Sequence, residues 1–199
     1  MFQKGKSVSR KKEIKHHSSK RDALEENELN ELINQCQSVP EKFSKEHFVV
    51  LVLAFTGMRA DELSHFKPSW IKWQKGVIEI PSEEDGWTPK TIHGARSIPL
   101  KDNRLIDILK RWTYEYNFKP IKMKRVTIWR IIQKVASRTK IMKKVYPHSL
   151  RATFATTLAF KGFSASSIQH IMGWGSIVMA MEYVKSSGAR AKDEFMEKW

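Results

Sequence analysis

The run "FVVLVLAF", Phe48 to Phe55, is apolar on every side. A helix without a polar face cannot lie on a surface, so this one must be wrapped by the rest of the chain. It is far shorter than the roughly 18 residues a membrane span needs, and no other apolar run comes closer. Ser44 is suited to cap its start, and Thr56-Gly57 to stop it. Whatever else the chain does, it builds its core around this segment.

The neighbouring periods set the fold class. An amphipathic helix is expected over Asp22 to Gln37, with Leu24, Leu29, Leu32 and Ile33 on its buried side, and a short helix carries "RADEL" just after Gly57. The period then changes. "SWIKW", "GVIEIP" and "ARSIPL" read as three strands separated by the turn-prone "EEDG" and "IHG". Helical patterning returns with "NRLIDILKRW", "TIWRIIQKVA", "PHSLRATFAT", "SASSIQHIM" and "SIVMAMEYV". The expectation is a mostly α fold with a small three-stranded antiparallel β-sheet. Residues 1–21 are basic and without apolar period, as in a flexible arm or linker. Residues 22–199 form one domain, ending in a tail helix at about 188–199 that carries Phe195, Met196 and Trp199.

Charge narrows the partners. The net charge is +15, and from Tyr116 to Met181 there is no Asp or Glu. That stretch holds Lys119, Lys122, Lys124, Arg125, Arg130, Lys134, Lys143 and Lys144, besides Arg138, Lys140, Arg151 and Lys161. Clustering of one sign points to a polyanion, and the first eight are the candidate nucleic-acid contacts. Cys36 is the only cysteine and no signal peptide is present, so a cytoplasmic protein without an intrachain disulfide is expected.

His148 and Arg151 follow Pro147, on one face near the start of a helix, where the dipole is positive and cations are disfavoured. No acid nearby in sequence relieves them, and an anion from outside the chain would. Arg59 precedes Asp61 and Glu62, and taken alone it reads as a surface pair with them. Lys90 lies at a hairpin among many lysines. Trp174, between Gly173 and Gly175, reads as turn packing, and Tyr183 as a helical tyrosine. The histidines lack metal-ligand spacing, no glycine-rich phosphate loop occurs, and no Ser-His-Asp set can be assembled. Neither metal nor cofactor is expected.

Taken in order, "TGMRADEL", "PKT…ARSIPL", "HSLRATFAT", "IMGW" and a tyrosine nine residues beyond that tryptophan resemble the catalytic domain of the tyrosine recombinases, the integrase family. The phrasing "GWTPKT…ARSIPL" is most similar to archaeal and archaeal-virus members. The resemblance implies a fold shared with type IB topoisomerases. It also implies that Arg59 and Arg151 clamp a scissile phosphate while His148 assists by hydrogen bonding or proton transfer, with Trp174 in the place most often taken by His. Tyr183 would be the nucleophile forming a 3′-phosphotyrosine, and Lys90 would protonate the leaving 5′ oxygen. Double-stranded DNA, a tetramer on DNA with exchanged tails, and a nucleoid location in a prokaryotic host follow from the same resemblance. Ala180 stands where many members have Thr, Lys185 where His often follows the tyrosine, and the hairpin is a residue longer than in many relatives. The basic arm stands where relatives carry a core-binding domain. Topoisomerase activity and a non-catalytic DNA-binding role are the alternatives. RNA binding lacks an RNP-like or GXXG motif.

Overall fold

The structure, a computed structural model, describes residues 22–36, 43–115, 123–187 and 195–196. The arm at 1–21, most of the tail, Lys119 and Lys122 lie outside these. Helix α2 (Lys45–Thr56) is the axis of the core, with Phe48 to Ala54 all buried. Ser44 caps it by accepting from the His47 N–H at 3.3 Å. Gly57 ends it in the left-handed region at φ 61°, returning its N–H to Leu53 at 3.2 Å.

Around α2 pack α1 (Glu26–Asn34), α4 (Asn103–Glu115), α5 (Arg125–Ala136) and α6 (Pro147–Phe160). Phe48, Phe66 and Trp112 fill the space between α2 and α4, with ring centroids 4.9 to 6.1 Å apart. Helices α7 (Ala165–Met172) and α8 (Ile177–Ser187) fold back on α6 and form a second apolar cluster with Ile168, Met172, Trp174, Ala180 and Tyr183.

The sheet has the expected three antiparallel strands in the order β1 (Ile71–Lys72), β2 (Val77–Ile80) and β3 (Arg96–Pro99). Ile78 pairs with both Ile71 and Ile98. Strand β1 is shorter than "SWIKW", because 3₁₀ turns at Pro68–Trp70 and Trp73–Lys75 take its two ends. The first helix also starts later than Asp22. The Glu25 N–H is capped by the Glu28 carboxylate at 2.8 Å, and the preceding residues run across to α6, where the Leu24 N–H meets Thr153 Oγ1 at 2.8 Å.

Candidate active site

Arg59 precedes α3 (Ala60–His65), and Arg151 lies in the second turn of α6. Gly57 allows them to meet. A Cβ there would come within 2.7 Å of Phe154 and 2.9 Å of Met172, so only glycine lets α2 end against α6 and α7. The guanidinium of Arg151 donates to the carbonyls of Gly57, the residue that caps α2, and of Met172, the last residue of α7. Arg59 donates to the next one, Gly173 O, at 3.1 Å. Arg96 of β3 donates to the preceding one, Ile171 O, at 2.7 Å. Three arginines thus cap three successive carbonyls at the negative end of one helix.

One carboxylate binds two of them. Glu62, with a side chain 1% exposed, accepts from Arg59 Nη1 at 2.7 Å and from both terminal nitrogens of Arg96 at 3.0 Å. Burial opposes the Glu62 charge, but Arg96, Arg151 and the Arg59 N–H outweigh it and hold its pKa below the usual 4.5. The acid that sequence reading could not supply for Arg151 is therefore Glu62, brought in by the fold. Pairing of Arg59 with Glu62 is real, but it is a buried contact rather than a surface one. One carboxylate does not balance three guanidiniums. Burial, with Arg59 and Arg96 nearby, pushes Arg151 down to about 9, still charged at neutral pH but short of an anion.

The other expected residues gather here. Tyr183 of α8 is 4% exposed and stacks on Trp174, with centroids 5.4 Å apart and planes at 22°. Arg151 lies over the same indole, its Cζ 5.8 Å from the ring centroid. His148 stays exposed, at the start of α6. Partial burial, then the charges of Arg151, Arg59 and Lys90, hold its pKa below the ordinary 6.5. Lys90, in the β2–β3 connection, is exposed and close enough to be felt at His148. Proton NMR of His148, assigned with a His148→Gln variant, is expected to give a midpoint below 6.5 that rises when duplex DNA is added. A midpoint at or above 6.5 in the free protein would contradict this arrangement of cations.

Arg96 escaped the sequence reading, and Glu62 was read only as a surface partner of Arg59. The signal for Arg96 was its place in "ARSIPL": it shares the inward face of β3 with Ile98, and an inward charge calls for a buried partner. The basic segment also differs from expectation. Lys143 is held by Glu28 at 2.7 Å and Glu25 at 3.5 Å, Lys134 reaches Glu46 at 3.3 Å, and Arg125 is 3.7 Å from Asp61. Lys124, Arg130 and Lys144 are exposed without an ion pair among the described residues.

Residues 22–190 match the phage integrase family. The chain belongs to the phage integrase family. It is 27% identical over 182 residues to the tyrosine recombinase XerA of the archaeon Pyrococcus furiosus, a match covering 86% of this chain and 59% of that one. A crystal structure of XerA recombinase superposes with a TM-score of 0.69 at 24% identity, over 87% of this chain and 62% of the other. A Tn1549 transposon integrase in complex with transposon right end DNA gives 0.65 at 21%, over 88% and 66%. These structural likenesses speak for the integrase catalytic fold, helices with one small sheet, as the motifs implied. The chain spans about three fifths of the XerA relative it matches.

Proposed function

We propose that this chain is the catalytic part of a site-specific DNA recombinase, cleaving and rejoining strands through a 3′-phosphotyrosine. The observation that carries this reading is the pair Arg59 and Arg151, anchored on neighbouring carbonyls beside the Tyr183–Trp174 stack with too little negative charge around them. A phosphodiester supplies that charge, and the charge grows as the phosphorus adds a fifth oxygen, where fixed cations help most. A phenol ionises near pH 10, so its attack needs such a setting.

In the proposed step the Tyr183 oxygen bonds to phosphorus and the bond to the 5′ oxygen breaks. His148 takes the phenol proton, and Lys90 gives a proton to the leaving oxygen. Trp174 fixes the phenol and Arg151 together by stacking. Rejoining reverses each transfer, and the phosphotyrosine ester conserves the bond, so no nucleotide is spent.

The substrate is duplex DNA, with Lys124, Arg125, Arg130 and Lys144 on its backbone, joined by Lys134 and Lys143 where phosphate displaces their carboxylates. Lys119 and Lys122 complete the proposed set. A tetramer with exchanged tails belongs to the same proposal, and a groove of about 880 Å³, lined by apolar Leu24, Phe55 and Phe154 and by charged Glu25, Arg104 and Lys161, is a place where a neighbour's tail could dock. Such work places the protein with the DNA of a prokaryotic cell. Among the described residues no helix is long and apolar enough to cross a membrane.

The test is a covalent trap. The protein is mixed with a randomised pool of nicked, labelled duplexes, denatured in detergent, and examined for label that stays on the protein. An adduct is expected, together with affinity that falls by about 0.9 log unit per log unit of salt for each phosphate neutralised. Tight, salt-sensitive binding with no adduct would favour a non-catalytic DNA-binding role.

A further inference from the structure

The β2–β3 connection, residues 81–95, bears Lys90 at an exposed position where a free loop would wander. It is instead fastened on both sides. Glu84 and Trp87 exchange backbone hydrogen bonds at 2.9 and 3.0 Å around Asp85 and Gly86, whose φ values of 51° and 76° suit a two-residue I′ turn. The turn is tied down by Lys67 on Asp85 and by the Trp70 indole N–H on Glu84.

Trp87 then locks the connection to α3. Its ring stacks with His65 at 5.0 Å and 19°, and with Trp70 at 5.4 Å and 26°, and its N–H donates to Asp61 at 3.0 Å. Asp61 and His65 belong to the helix that Arg59 opens. On the far side, Pro89 lies so close to Gly94 that a Cβ there would fall 2.3 Å from it. A Cβ on Gly173 would fall 2.6 Å from the His93 carbonyl.

We propose that Trp87 is the positioning residue for Lys90, tying the lysine's hairpin to the helix of Arg59 so that ammonium and guanidinium keep a fixed separation across the scissile phosphate. The inference rests on Lys90 being the general acid, and the experiment separates the two. The substrate is the duplex that the wild type cleaves best from the randomised pool, made once with its normal 5′ oxygen and once with sulfur in that place. A sulfur leaving group departs without a proton.

Lys90→Ala is expected to cleave the oxygen substrate about 10²- to 10⁴-fold more slowly, the usual worth of a general acid, and to recover on sulfur. Trp87→Ala is expected to lose about tenfold to a hundredfold on oxygen, as displacement of a reacting group does, and to recover on sulfur as well. Trp87→Phe keeps a stacking ring and recovers most of the rate on oxygen. Amide exchange across residues 84–94 is expected to quicken in Trp87→Ala and not in Trp87→Phe. Trp87→Ala equally slow on both substrates would make the residue structural and overturn the inference. So would a wild-type rate on oxygen, or unchanged exchange. Lys90→Ala without recovery on sulfur would remove the general acid itself, and with it the role of Trp87.

Discussion

Tyr183→Phe is expected to form no detergent-stable adduct with DNA while binding duplex as the wild type does. The substitution deletes one oxygen and keeps the ring. The stack on Trp174, 5.4 Å between centroids, survives, and so does the placement of Arg151 over that indole. Losing a buried hydroxyl costs about 1 kcal/mol of stability, or a Tm lower by about 2–4 °C at this chain length. Neither change touches the cations that would hold phosphate. Filter binding and the trap, run on one sample, therefore separate: affinity stays and the adduct disappears. A Phe variant that still formed the adduct would assign the nucleophile elsewhere. One that also lost affinity would make the Tyr183 oxygen part of the binding surface.

What could be read in the sequence was whatever a local period or a short motif encodes. Helix α2 was legible because eight apolar residues in a row leave only the interior. The hairpin was legible because "VIEI" alternates and Asp85-Gly86 is a turn pair. The six candidate catalytic residues came from the resemblance; the fold links Arg59, Arg151, Trp174 and Tyr183 through one set of contacts and leaves His148 and Lys90 exposed beside them. The acid-free stretch does not show its own partners, because the acids that meet it come from the start of α1, from α2 and from α3. Arg138 meets Glu46 at 2.7 Å across 92 residues of chain, and Lys143 meets Glu28 at 2.7 Å across 115. No window of sequence contains both partners. The same distance hid the capping of α7: Arg96 lies 75 residues from Ile171, and Arg59 114 from Gly173. Capping at a helix C-terminus is visible in sequence only when the cation is local.

Glu62→Ala is the expected result that probes this hidden layer. It leaves Arg96, with a side chain 1% exposed, facing an empty site, and breaking one side of a buried pair costs about 3–5 kcal/mol. At 199 residues that lowers Tm by on the order of 10 °C. Arg59 loses one of its two anchors and keeps only the Gly173 carbonyl, so cleavage falls further than stability alone explains. Replacing both members, Glu62→Leu with Arg96→Met, removes the stranded charge and should restore much of the Tm without restoring cleavage, since Arg59 still lacks its carboxylate anchor. Acidification acts through the same carboxylate. Its folded pKa lies below 4.5, so its contribution is complete above that value and is lost as pH falls through the folded pKa. Glu28, depressed despite partial burial by its bond to Lys143, adds to the same acid limb. Thermal melts from pH 3 to 7 should therefore show a steep acid loss in the wild type and a shallower one in the double variant. Equal slopes would mean that Glu62 carries no part of the acid sensitivity, and a single Glu62→Ala variant as stable as the wild type would mean that Arg96 finds water or another acceptor once the carboxylate is gone.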